Sequence, residues 1–158
     1  MKAINTMSLT FDSLPVNESF ARTAVAGFFT QLNPTVEELC DIRTAVSEAV
    51  TNSIVHGYRT FSGKVRLTAK IYPERKISIT VKDLGCGIAN IEEAMEPLFT
   101  TDPEGERSGL GFSVMQSFMD SLRVISSPGK GTSVLMKRAL LPIPADADKD
   151  SVDSEEDL

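Results

Sequence analysis

Residues 48–57 read EAVTNSIVHG, and this stretch decides which fold the 158-residue chain can adopt. It completes a predicted helix that begins at Pro34, is capped by a Thr35–Glu38 box and ends near Gly57. Apolar residues at helical spacing predict a buried face made of Leu39, Ile42, Val46, Ala49 and Val50.

The polar face of the same helix carries a carboxylate and an amide. Glu48 and Asn52 are four residues apart and therefore share one face, with His56 one turn further along. Asn52 could ligate Mg²⁺ and Glu48 could accept a proton from an attacking hydroxyl. On this helix alone, a solvated polar stripe is the more common explanation of the pattern. His56 is expected to pack or cap.

Two alternating strands follow the helix. Val65, Leu67, Ala69 and Ile71 share one face and Lys64, Arg66, Thr68 and Lys70 the other, which predicts a sheet with one solvated side. Residues 73–75 form the expected turn.

An acid on the inward face of the second strand is unexpected. The period of two that buries Ile77, Ile79 and Val81 also turns Asp83 inward, and a buried carboxylate needs donors. These could be the turn amides of residues 84–87, or an outside group such as the exocyclic amine of adenine. Glycines at 85 and 87 would let a flat ring approach the backbone.

A polar segment, residues 99–108, leads into Gly109–Gly111 and is expected to be a mobile loop. Glycines that begin a helix expose amides to an anion, and Arg107 could reach a phosphate. A flexible helix start is the alternative. The helix itself should bury Phe112, Met115, Phe118 and Met119.

The remaining elements frame these motifs. We predict an edge strand at residues 2–12, a helix from an Asn17 cap to Leu32, a short helix at 91–96, and strands at 122–126 and 132–139. The helix at 17–32 should bury the i+4 stripe Phe20, Ala24, Phe28 and Leu32, with Arg22 off that stripe.

Composition indicates one globular domain, residues 1–141, followed by an acidic tail, residues 142–158. Hydrophobic residues make up 41% and charged residues 24%, and the net charge of −6 resides in the tail, where seven acids face one lysine. The tail is expected to be disordered.

A neutral body without a basic stripe argues against nucleic-acid binding. No apolar run approaches the roughly 20 residues of a membrane span, so a cytoplasmic protein is expected.

The motifs as a set, together with Gly129–Thr132 (GKGT), resemble the nucleotide-binding boxes of the Bergerat-fold ATPases. The runs VSEAVTNSIVHGY (46–58), NESFAR (17–22) and, within 97–112, PLFTT and ERSGLGF are similar to the anti-sigma F factors of endospore-forming bacteria. The anti-sigma B kinases share the ATP boxes and are the nearest alternative.

This resemblance implies an α/β (α+β) two-layer sandwich, with helices on one face of a mixed, mostly antiparallel sheet that binds ATP and Mg²⁺. Glu48 would be the general base, Asn52 the Mg²⁺ ligand, and Asp83 the adenine acceptor, helped by Thr132. Gly85 and Gly87 would shape the adenine pocket. The lid and phosphate loop would supply Thr100, Thr101, Arg107, Ser108, Gly109, Leu110 and Gly111, with Arg107 in a catalytic role.

The implied activity is that of a serine kinase that phosphorylates an anti-sigma factor antagonist and, as a homodimer, sequesters a sporulation sigma factor. Arg22 would lie on the partner-contact surface. A detached histidine-kinase catalytic domain is disfavoured because the only histidine, His56, lies inside the nucleotide box. A nucleotide-gated sigma-binding module without kinase activity remains open.

Overall fold

The structure, a computed structural model, describes residues 1–97 and 111–145. Five strands form one sheet: β1 (Asn5–Asp12), β2 (Lys64–Tyr72), β3 (Lys76–Asp83), β4 (Ser121–Ser127) and β5 (Gly131–Ala139). Their order is β1-β2-β3-β5-β4, and each described pairing is antiparallel. The two-layer α+β architecture is confirmed, and among the described strands the sheet contains no parallel pair.

The helices cover one face of this sheet. They are α1 (Val16–Phe29), a 3₁₀ turn (Thr30–Leu32), α2 (Val36–Thr51), a π-helical turn (Asn52–Gly57), α3 (Ile91–Ala94) and α4 (Gly111–Phe118). The core between the layers includes Ile42, Val46, Leu67, Ile79 and Met115, all fully buried. Lys64 and Arg66 on the opposite face are exposed, as the alternation predicts.

Helix α2 begins as the sequence predicts and ends differently. Thr35 accepts the Glu38 amide at 3.1 Å and Glu38 accepts the Thr35 amide at 2.9 Å, so the capping box is complete. Of the predicted buried face, Leu39 is only partly buried. At the other end the backbone widens into the π turn, where the Tyr58 amide donates to the Ser53 carbonyl at 3.0 Å.

Glu38 also fastens the end of β5 to this helix. It is 2% exposed, and one carboxylate oxygen accepts the Leu141 amide at 2.7 Å. Burial alone would raise the pKa of Glu38, but the Leu141 and Thr35 amides, with Arg75 and Arg138 nearby, hold it below its ordinary value.

The predictions for α1 were wrong in two respects. Asn17 lies inside the helix, and Pro15 precedes the first turn without a side-chain cap. The buried positions are Ala21, Val25, Ala26 and Phe29, whereas Phe20 is 56% exposed. The i+4 spacing was correct, but the buried face is rotated by one residue, to Ala21, Val25 and Phe29. Phe28 and Leu32 pack only at its margin.

Candidate functional site

Asp83, the last residue of β3, is the inward-facing acid predicted from the strand period. Only 3% of Asp83 is exposed, so its carboxylate needs hydrogen-bond donors in place of water. The Gly85 amide donates to Oδ1 at 2.9 Å, and the Ser53 hydroxyl donates to Oδ2 at 2.8 Å. Burial raises the pKa of Asp83, and the Gly85 amide, Ser53 hydroxyl and Thr132 amide partly offset that rise.

The Gly85 amide of the turn therefore uses only one of the hydrogen-bond acceptor positions of the Asp83 carboxylate. An ionised carboxylate offers about four lone-pair positions, so an additional donor can still be accepted. Gly57 faces the group directly, because a Cβ at position 57 would lie 3.0 Å from Oδ1. Asp83 thus combines burial with the capacity to accept a further hydrogen bond.

The loop after Asp83 is clamped between two other segments. The Cys86 amide donates to the Gly57 carbonyl at 2.8 Å, and the Gly129 amide donates to the Cys86 carbonyl at 2.7 Å. A Cβ at Gly85 would lie 2.1 Å from the Gly57 carbonyl oxygen, and Gly87 has φ +73°. Packing of backbone on backbone therefore requires both glycines, and their role beside a purine stays a prediction.

Thr132 lies opposite Asp83 in the β3–β5 register. Its hydroxyl is 2.8 Å from the Ser126 hydroxyl, which is itself 2.9 Å from the Gly131 carbonyl oxygen. Either hydroxyl can be the donor in this pair. In both arrangements the Thr132 oxygen can accept a further hydrogen bond.

Glu48 and Asn52 converge on the first residue of α4. A Cβ at Gly111 would lie 3.1 Å from Glu48 Oε2 and 3.2–3.3 Å from the Asn52 amide atoms. The prediction that Glu48 and Asn52 share one face of the helix is therefore confirmed, because the carboxylate and the amide both lie against Gly111.

The π turn joins the two halves of this arrangement. Asn52 faces Gly111, while its neighbour Ser53 donates to Asp83. One helical segment thus places the Asn52 side-chain amide on one side and the Ser53 hydroxyl, which orients the buried Asp83 carboxylate, on the other. His56 contributes its carbonyl, which accepts from the Cys86 thiol at 3.1 Å.

Arg22 lies on α1. Its Nη1 is 3.5 Å from Glu18 Oε1, and the Ser47 hydroxyl of α2 donates to the same carboxylate. Its Nε is buried without a hydrogen-bond partner among the described residues. The remaining side-chain surface, 38% exposed, is available to a partner.

Six predicted site residues lie outside the described residues: Thr100, Thr101, Arg107, Ser108, Gly109 and Leu110. Within residues 1–97 and 111–145 no three His, Cys, Asp or Glu side chains group closely enough to hold a metal ion. In the same part of the chain, no helix has the length and apolar character needed to cross a bilayer.

Sequence reasoning missed Ser53 and Ser126. Serine is frequent and carries no periodic signal, so neither residue stands out in the sequence. The one available signal was its position: Ser53 directly follows Asn52, and the buried Asp83 required a donor.

Comparison with known proteins identifies the architecture around this site. A family model for the histidine kinase-like ATPase domain matches residues 11–138. An anti-sigma F factor from Clostridium perfringens is 55% identical over 136 residues, 86% of this chain and 97% of its own length. One from Thermoanaerobacter is 57% identical over 138 residues, 87% and 96% of the two chains.

Among solved structures, the RsbU and RsbW domains of Rv1364c from Mycobacterium tuberculosis are similar, with a TM-score of 0.62 and 20% identity. The match covers 86% of this chain and 32% of that one. At this identity the likeness concerns the fold alone.

Proposed function

The chain belongs to the anti-sigma F factors, within the histidine kinase-like ATPase domains, and from that premise we propose its activity. It binds ATP with Mg²⁺, inhibits a sporulation sigma factor, and transfers the γ-phosphoryl group to a serine of an anti-sigma factor antagonist. It acts in the cytoplasm as a homodimer, and phosphorylation inactivates the antagonist.

The observation that carries this proposal is the convergence of Glu48 and Asn52 on Gly111. Phosphoryl transfer requires mainly positioning and charge neutralisation, so a small site is sufficient when the protein substrate brings its own hydroxyl. Glu48 would take the proton of that serine hydroxyl as its oxygen attacks the γ-phosphorus and ADP leaves.

The donor set supports a nucleotide-borne Mg²⁺ better than a pre-formed metal site. Mg²⁺ is held chiefly through substrate phosphates with one or two protein oxygens, and the Asn52 amide oxygen would supply one of them. The described residues group no dedicated metal cage. Bound Mg²⁺ would supply charge neutralisation at the phosphates, and Asn52 would orient it.

The adenine end would be recognised by Asp83. Its spare acceptor capacity suits the exocyclic amine of adenine, and the Thr132 hydroxyl oxygen adds a second acceptor nearby. Arg22, with Glu18 beside it, would contact the partner protein. Residues 100–111 would cover and cradle the phosphates.

The test is transfer of label from γ-labelled ATP to a purified antagonist. Acid-stable label on serine is expected, and Glu48→Gln should abolish it while nucleotide binding is retained. Glu37→Gln, on an exposed residue of the same helix, is the matched control and should transfer normally. Normal transfer by Glu48→Gln would contradict the assigned base.

The same assay separates this proposal from a binding module without kinase activity. In that case no label would reach the antagonist, but a sigma factor would still be retained in the presence of ATP. A label that is lost in acid would instead indicate phosphohistidine.

A further inference from the structure

The solvated side of the sheet carries more positive charge than its own acids can balance. We call this side the open sheet face; it presents the outward side chains of β1 to β5. The register places Arg66 directly opposite Lys82, and it places Ser78 between Lys70 and Lys137. Like charges opposite each other on neighbouring strands cost stability, so this pattern calls for an anionic partner.

The acids on the open sheet face are already used. Asp12 pairs with Lys64, and Glu74, in the adjoining turn, pairs with Lys76. Five cations take part in no ion pair within the described part of the chain: Arg66, Lys70, Lys82, Arg123 and Lys137. The helical layer has the opposite balance, because α2 contains four acids and one arginine, and α3 contains two acids and no base.

The same chain supplies the complementary charge. Residues 146–158 contain seven acids and one lysine, whereas residues 1–141 are balanced. At about 3.3 Å per residue, these 13 residues can reach about 43 Å, which exceeds the roughly 30 Å length of a nine-residue strand. The chain continues past β5 to residue 145, and Leu141 is hydrogen-bonded to Glu38 on the helical side, so the segment has to cross this edge of the sheet before it reaches the open sheet face.

We propose that the open sheet face binds the acidic C-terminal segment 146–158 of the same chain. The tether makes the encounter intramolecular, with an effective concentration of order millimolar, so even weak ion pairing fills the site. The helical side repels the segment, and the open sheet face attracts it. The segment therefore screens this face from other anionic ligands.

The experiment compares the full chain with a variant whose seven tail acids are changed to Asn or Gln. Backbone amide and arginine Nε–H resonances are recorded by NMR at low salt. Differences are expected on β2, β3 and β5 around Arg66, Lys82 and Lys137. They should disappear at about 0.5 M NaCl, where the screening length falls to about 4 Å. The double substitution Arg66→Glu with Lys82→Glu should remove them, and Arg43→Glu on the helical side should not.

A second measurement identifies the occupant. A glutamate-rich peptide is titrated into both proteins, and the neutralised-tail variant should bind it about tenfold more tightly, because one competitor has been removed. Equal binding by the two proteins would overturn the proposal and assign the face to an external acidic partner. Resonance differences confined to the chain end, or located on the helices, would overturn it as well.

Discussion

Replacing Asp83 with Asn should alter which purine the site prefers. The substitution keeps the shape of the side chain and removes one oxygen. The Gly85 amide, 2.9 Å from Oδ1, requires an acceptor there, so the new amide nitrogen must occupy the Oδ2 position. A donor would then face the exocyclic amine of adenine, which is also a donor.

The magnitude follows from this donor–donor conflict. A buried donor left without a partner costs about 2–3 kcal/mol, which corresponds to about a 30- to 160-fold loss of ATP affinity. ITP carries a carbonyl oxygen in place of the amine, and that oxygen can accept from the new amide. The variant should therefore bind ITP at least as well as ATP, whereas the native chain should prefer ATP.

Calorimetric titration of both nucleotides with Mg²⁺ into both proteins measures the change. Asp12→Asn, on an exposed acid of the opposite face of the sheet, is the control and should keep the native preference. An unchanged preference for ATP in Asp83→Asn would refute the role of Asp83 in adenine recognition.

The remaining predictions concern neighbouring residues. Ser53→Ala removes the hydroxyl that donates to Asp83 at 2.8 Å. ATP affinity should fall about fivefold, which corresponds to the loss of one hydrogen bond. The loss should grow as the pH is lowered, because the pKa of Asp83 rises further; calorimetry that shows no pH-dependent loss would contradict this. Glu38→Gln should lower the free energy of unfolding by about 1.5–3 kcal/mol in denaturant titrations, with exposed Glu37→Gln neutral. The pKa of Glu38 is below its ordinary 4.5 in the folded chain, so its contribution to the free energy of unfolding is complete above pH 4.5 and is lost as the pH falls through the folded pKa. If the native chain and Glu38→Gln showed the same dependence of stability on pH, this role of Glu38 would be refuted. Gly111→Ala places a methyl group 3.1 Å from Glu48 Oε2, so phosphoryl transfer should fall about 100-fold with little loss of stability; an unchanged rate would contradict the convergence at Gly111.

Alternation made the sheet predictable from the sequence. A strand with one buried face fixes the side of every residue, so the inward position of Asp83 followed directly from Ile77, Ile79 and Val81. The capping box at Thr35–Glu38 was equally local and was also confirmed.

The face of α1 was not predictable in the same way. Apolar residues fall on two adjacent stripes, and the sequence does not say which stripe the partner elements contact. The choice between the stripe of Phe20 and that of Ala21 was made by tertiary packing against the other elements.

Within the site, the charged and glycine-rich motifs were visible in the sequence, and the connections between them were not. Ser53 donates to Asp83 from the π turn, and nothing in residues 52–57 marks that turn in the sequence. Ser126 orients Thr132 from a strand that pairs with it only in the folded sheet.

The proposed function depends on one adenine-nucleotide site that needs Mg²⁺. Calorimetric titration of ATP into the native chain, with and without Mg²⁺ and at two temperatures, tests it most directly. We expect saturable binding of one ATP per chain that weakens strongly when Mg²⁺ is removed. Heats no larger than those of dilution at both temperatures, with Mg²⁺ present, would contradict it.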